Sequence, residues 1–99
     1  MAQSKVSTKS KVELNFPERY DVIFHNDDFT PMDFVIQLLI EVFNKGLDTA
    51  KDLTMQIHTE GKAVAGTYSY EIAEQKVNEA MTLSRYNKYP LKVTMETLS

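Results

Sequence analysis

A chain of 99 residues has room for one small domain, which buries only about 60–65% of the surface its unfolded chain exposes, so a shallow pocket is expected and not a deep two-lobed cleft. The formal net charge of −3 argues against a dedicated nucleic-acid binder, which carries a basic surplus. The absence of cysteine excludes disulfides, thiolate metal sites and a cysteine nucleophile.

Residues Met1 to Phe16 are rich in Ser, Thr and Lys and show no periodicity. They are predicted to form a flexible N-terminal extension (1–16), with Pro17 opening a single domain over 17–99. The extension has no apolar central run of the kind a secretory signal needs. The most apolar stretch, Met32 to Phe43, is interrupted by Asp33, Gln37 and Glu41 and is too short to span a membrane. A cytoplasmic protein that binds neither membrane nor nucleic acid is expected.

Tyr20 to His25 is a short run of β-branched and aromatic residues, predicted as a buried strand. Asn26-Asp27-Asp28 ends it, since these side chains favour turns. Thr30 is the predicted N-cap of a first helix, with Pro31 at the tolerated first position and Asp33 in the first turn. This helix is expected to run to about Lys45 and stop at Gly46. A second helix is predicted from near Asp48 to Gly61, with Ala50, Leu53 and Ile57 as its apolar stripe. Lys62 to Tyr68 reads as a strand of small residues. Ser69 is expected to cap a third helix that has Glu71 in its first turn, carries Ala73, Val77, Ala80 and Met81 on one face, and ends before Pro90. Leu91, Val93 and Met95 alternate with Lys92, Thr94 and Glu96 as a half-buried last strand. The fold class is α+β: a three-stranded sheet with three helices on one face, in the order β-α-α-β-α-β. Strand order and direction stay open at this level.

The segment from Phe24 to Met32 concentrates polar and acidic groups between a strand and a helix start. A capped turn explains it without any function. Its spacing is not that of a calcium loop. His58 shares a helix face with Thr54 and Ile57. A histidine favoured by the helix dipole explains His58 more simply than zinc, whose only other histidine would be His25, on a strand. There is no nucleophile elbow and no phosphate-binding glycine loop, so no enzyme and no cofactor are expected.

Tyr20-Asp21-Val22-Ile23-Phe24-His25-Asn26-Asp27-Asp28-Phe29-Thr30-Pro31-Met32-Asp33-Phe34-Val35 closely resembles the signature of the ClpS family, bacterial adaptors of the N-end rule pathway. Further matches follow in order at Ile57-His58, Gly61-Lys62-Ala63, Gly66, Glu71 to Glu74 with Lys76-Val77, and Pro90-Leu91. The resemblance implies an adaptor that holds the N-terminal Leu, Phe, Tyr or Trp of an N-degron substrate and delivers it, as a monomer, to the N-domain of a ClpA-type AAA+ unfoldase. It implies that Asn26, Asp28 and His58 hold the α-amino group, with Asp27 supporting the loop or contacting the substrate backbone. It further implies an apolar pocket of Phe24, Thr30, Met32, Val35, Thr54, Ile57 and Leu91, and unfoldase contacts at Glu71, Glu74 and Lys76. Two positions depart from the family: Thr54 stands where many members carry a pocket Met, and His25 where an aliphatic residue is usual. A ribosome-associated, stalk-like interaction domain is the rival reading, because that fold has a similar order of elements and fold does not dictate function.

Overall fold

The computed structural model describes residues 18–98. The expectations for the extension 1–16 and for the boundary at Pro17 lie outside the described residues. Strand β1 (Tyr20–His25) leads into helices α1 (Met32–Glu41) and α2 (Leu47–Glu60). Strand β2 (Lys62–Tyr68), helix α3 (Tyr70–Tyr86) and strand β3 (Lys92–Thr97) follow. The expected order β-α-α-β-α-β is therefore the observed one.

The three strands form one antiparallel sheet in the order β2-β1-β3, with the first strand in the centre. That position suits β1, whose Val22, Ile23 and Phe24 are all buried. Val22 and Phe24 belong to the same buried cluster as Val35, Leu38 and Leu39 of α1 and Ala73 and Ala80 of α3. One face of the sheet thus carries the helices. Ala63 and Ala65 of β2 join that cluster, and their small side chains let α2 approach the sheet closely. Between the Val22–Gly66 and Ile23–Val64 pairs the register shifts, leaving Ala65 as the extra residue of a bulge. A Cβ on Gly66 would press to 2.6–2.7 Å of the Tyr68 ring, which folds over it, so a larger residue there would have to displace the end of the Tyr68 side chain.

Two helix boundaries differ from the sequence expectation. The N-cap of α1 is Pro31, not Thr30, and no side chain caps it. The Thr30 hydroxyl donates instead to Asp27 Oδ2 at 2.8 Å, because the preceding aspartate offers a charged acceptor. At its other end α1 stops at Glu41, not near Lys45. Val42 and Phe43, each 3% exposed, are drawn into the core, where the Phe43 ring meets Phe24 edge-on at 5.3 Å. Asn44 then turns the chain at φ 57°, a left-handed conformation that asparagine tolerates. The Lys45 N–H closes the turn on the Leu39 carbonyl at 3.0 Å. Gly46, in extended conformation, is the N-cap of α2 and not a helix stop.

The other end of α2 matches the expectation. Gly61 takes up the left-handed conformation at φ 93° and donates its N–H to the Ile57 carbonyl at 2.9 Å. No helix among the described residues is long and apolar enough to cross a membrane.

Candidate functional site

Antiparallel pairing explains how the site is assembled. Strand β2 starts one residue after Gly61 and pairs with β1 so that Lys62 lies opposite His25. The C-terminus of α2 is therefore set beside the C-terminus of β1. The Asn26 N–H donates to the Gly61 carbonyl at 2.9 Å and fixes the two ends together. His58, in the last turn of α2, thus comes beside the loop that starts at Asn26.

Asp27 builds that loop. Its Oδ1 accepts the backbone N–H groups of Phe29 at 2.8 Å and Thr30 at 2.7 Å, and its Oδ2 accepts the Thr30 hydroxyl. Burial works against the charged carboxylate. It is outweighed by those three hydrogen bonds and the positive charge of Arg85, which together hold the Asp27 carboxyl below its ordinary value. Asp27 is thereby committed to holding the chain, while its neighbours Asn26 and Asp28 stay exposed.

Between this loop, the start of α1 and the second half of α2 lies a cavity of about 240 Å³. Its walls are Asn26, Asp27, Asp28, Thr30, Met32, Val35, Thr54, Ile57 and His58. Val35, Thr54 and Ile57 are each 5% exposed and form the floor, whereas Asn26, Asp28 and His58 are exposed and stand at the mouth. Met32, 39% exposed, is the apolar residue of the rim. For scale, a cavity of about 150 Å³ admits a benzene ring. The site therefore fits one large side chain and falls short of the roughly 300 Å³ where drug-sized pockets begin. An acceptor-rich mouth over an apolar floor suits a ligand with a cationic, donor-rich head and a compact apolar body.

All four residues expected at the polar end line this cavity, as do five of the seven expected in the apolar wall. Phe24 and Leu91 do not line it. They are 0% and 1% exposed and sit in the core cluster that also holds Val35 and Ile57. Thr54 adds no free hydroxyl hydrogen, because its Oγ1 donates to the Ala50 carbonyl at 2.8 Å. His25 is not in the wall either. Its Nε2 lies 2.7 Å from Thr94 Oγ1, on the sheet face turned away from the helices. Burial lowers the His25 pKa below its ordinary value, assisted by Lys92 and Lys62 on the flanking strands and opposed by Glu96.

The three α3 residues differ in setting. Glu71 and Glu74 are exposed. Lys76 is half-buried, donates to the Val42 carbonyl at 2.7 Å, and lies 5.9 and 5.6 Å from the ring centroids of Phe43 and Tyr68. What sequence reasoning missed is Arg85, which donates to the carbonyls of Tyr89 at 2.8 Å and Leu91 at 3.0 Å and whose charge reaches Asp27. Its spacing on α3 gives no signal of that reach. Among the described residues no three His, Cys, Asp or Glu side chains gather as metal ligands.

The family described as ATP-dependent Clp protease adaptor protein ClpS matches residues 15–94. The ClpS protein of Desulforapulum autotrophicum is 48% identical over 94 residues, covering 93% of this chain and 90% of its own. That of Vibrio atlanticus is 44% identical over 93 residues, covering 94% of this chain and 88% of its own. Among solved structures, Agrobacterium tumefaciens ClpS2 bound to L-phenylalaninamide superposes with a TM-score of 0.81 at 37% identity, over 84% of this chain and all of that one. With a family match over residues 15–94 and relatives this close over most of its length, the chain belongs to the ClpS family of ATP-dependent Clp protease adaptor proteins.

Proposed function

We propose that this protein captures the free N-terminal residue of other proteins when that residue is Leu, Phe, Tyr or Trp, and delivers them to a ClpA-type AAA+ unfoldase. The observation that carries the reading is a cavity the size of one large side chain, about 240 Å³, with Asn26, Asp28 and His58 exposed at its mouth. A free α-amino group has a reference pKa near 7.7–8.0 and is mostly cationic at neutral pH, so it needs acceptors. Asn26 offers a carbonyl, Asp28 a carboxylate and neutral His58 a ring nitrogen. Asp27 keeps the loop in the shape that presents them. The substrate side chain enters over Met32 and lies against Val35, Thr54 and Ile57, with Thr30 at the loop side. Phe24 and Leu91 back this wall from the core. A relative of this fold holds phenylalaninamide, which has both the free amino group and the aromatic side chain of such a ligand.

Each charge-assisted hydrogen bond contributes roughly 1.5–3 kcal/mol, and burial of one large apolar side chain about 1.5–3 kcal/mol. After ordering costs the total corresponds to binding around micromolar. Glu71 and Glu74, exposed on α3, are the proposed unfoldase contacts. Lys76 is proposed to act beside them, with its charge partly spent on the Val42 carbonyl. The adaptor works as a cytoplasmic monomer.

A titration with a Phe-initiated peptide and its N-acetylated twin tests the reading. Acetylation removes the charge and two donors, so affinity should fall at least tenfold, which is about 1.4 kcal/mol. Equal affinity for the two peptides refutes it.

A further inference from the structure

The loop that walls the cavity also borders a second, open groove of about 650 Å³, formed by Phe29, Arg85, Lys88, Tyr89 and Pro90. The two depressions share the loop: Asp27 and Thr30 line the cavity, and Phe29 lines the groove. A side-chain contact also links their surroundings: the Phe34 ring, next to Val35 in α1, packs edge-on against Tyr89 at 4.8 Å. The groove is held in shape by Arg85, whose guanidinium donates to the Tyr89 and Leu91 carbonyls. Phe29 stands 78% exposed at its border and offers an apolar face to the groove. Lys88 is exposed on a backbone turn at φ 64°.

The charge reverses between the two depressions. The cavity carries Asp27 and Asp28, and the groove carries Arg85 and Lys88. Asp27 and Phe29 are two residues apart, at most about 7 Å of chain. An extended peptide advances about 3.3 Å per residue and clears that distance in two or three residues.

We propose that this groove is a second subsite, which receives the third to fifth residues of a chain whose N-terminal residue fills the cavity and selects an acidic side chain among them. The proposal rests on the capture reading given above. Phe29 and Tyr89 supply apolar contact to the peptide backbone and side chains, and Lys88 with Arg85 supplies the charge. Substrates with an acidic residue shortly after a bulky N-terminal residue are then preferred over those with a basic one.

The test is a fluorescence-anisotropy titration of the full chain at low salt. The peptides begin with Phe, are otherwise neutral, and carry a single Glu moved from position 2 to position 6. An exposed charge pair is modest, so affinity should rise about two- to fivefold over the neutral peptide when Glu is at one of positions 3 to 5. Lys at the same position should weaken binding, and the gain should vanish in about 0.5 M salt. In Lys88→Glu the preference should invert. Phe29→Ser should weaken the longer peptides more than it weakens phenylalaninamide, which is too short to reach the groove. A flat Glu scan beside normal binding of the neutral peptide overturns the subsite and leaves the capture reading intact. A Glu gain that survives Lys88→Glu also overturns it. Failure of the neutral Phe peptide to bind at all overturns both.

Discussion

The N–H of Asn26 donates to the carbonyl of Gly61 at 2.9 Å, joining the end of the central strand to the cap of the second helix. Residues 26 and 58 are distant in sequence, and this bond, with the Lys62–His25 pairing beside it, places their side chains around one opening. The loop and the helix end that form the mouth are therefore joined through backbone, while the Asp27 carboxylate shapes the loop itself.

His58 is exposed in the last turn of α2, so its removal should cost binding and not folding. His58→Ala should weaken a Phe-initiated peptide by roughly tenfold or more, the effect of one lost charge-assisted hydrogen bond of about 1.5–3 kcal/mol. Its unfolding free energy should stay within about 0.5 kcal/mol of the parent. Calorimetric titration and a thermal melt measure the two. A variant that binds as well as the parent removes His58 from the site.

Asp27 has the opposite profile. Its carboxylate accepts from Phe29, from Thr30 and from the Thr30 hydroxyl. Asp27→Ala should destabilise the domain by about 1–2 kcal/mol, as loss of a capping aspartate does, and should also weaken the peptide because the loop loses its shape. Because the folded carboxyl titrates below its ordinary value, its stabilisation is fully present above about pH 4, the unfolded value. It fades as acid carries the pH down through the lower folded value. Chemical unfolding from pH 6 to pH 2.5 should show a loss in the parent that is smaller in Asp27→Asn. Identical pH profiles would show that the charge of the Asp27 carboxylate adds no stability.

Thr54 is 5% exposed in the cavity floor, with its hydroxyl hydrogen directed to the Ala50 carbonyl. Thr54→Met replaces a short branched side chain with a long thioether that fills part of the 240 Å³. Leu, which does not reach a receded wall, regains contact, while Trp loses room. The affinity for a Leu-initiated peptide relative to a Trp-initiated one should rise by about 0.5–1 kcal/mol, the worth of a methylene-scale contact. An unchanged Leu-to-Trp ratio would show that Thr54 does not set specificity.

Lys76 holds α3 to the end of α1 through the Val42 carbonyl and the rings of Phe43 and Tyr68. Lys76→Met keeps most of the apolar stem and loses the donor and the charge. It should cost about 1–2 kcal/mol, or a fall in Tm of roughly 4–16 °C for a domain this small. Glu71→Ala and Glu74→Ala, at exposed positions, should leave Tm nearly unchanged and reduce capture by the unfoldase. A melt of Lys76→Met that overlays the parent would show that these contacts leave stability unaffected.

Much of this protein is written in local patterns. The β-branched run Tyr20 to His25, the Gly61 cap, the small residues of Lys62 to Tyr68 and the alternation after Pro90 each specify an element through short-range sterics and burial period, and the structure has all of them. The loop Asn26 to Thr30 and His58 were legible as unusual residue types and as a family resemblance. Local signals failed where a competing partner, close by in the chain or far from it, outweighed them. Thr30 caps nothing because Asp27 draws its hydroxyl, and α1 ends early because Val42 and Phe43 gain more from the core than from another helical turn. The tertiary structure alone decided that β1 lies in the centre of the sheet, that Asn26 meets Gly61, and that Phe24 and Leu91 stand behind the cavity and not in its wall. It also brought Arg85 within reach of Asp27. These are contacts between residues far apart in the chain, set by strand pairing and helix packing, and no periodicity of a single segment encodes them.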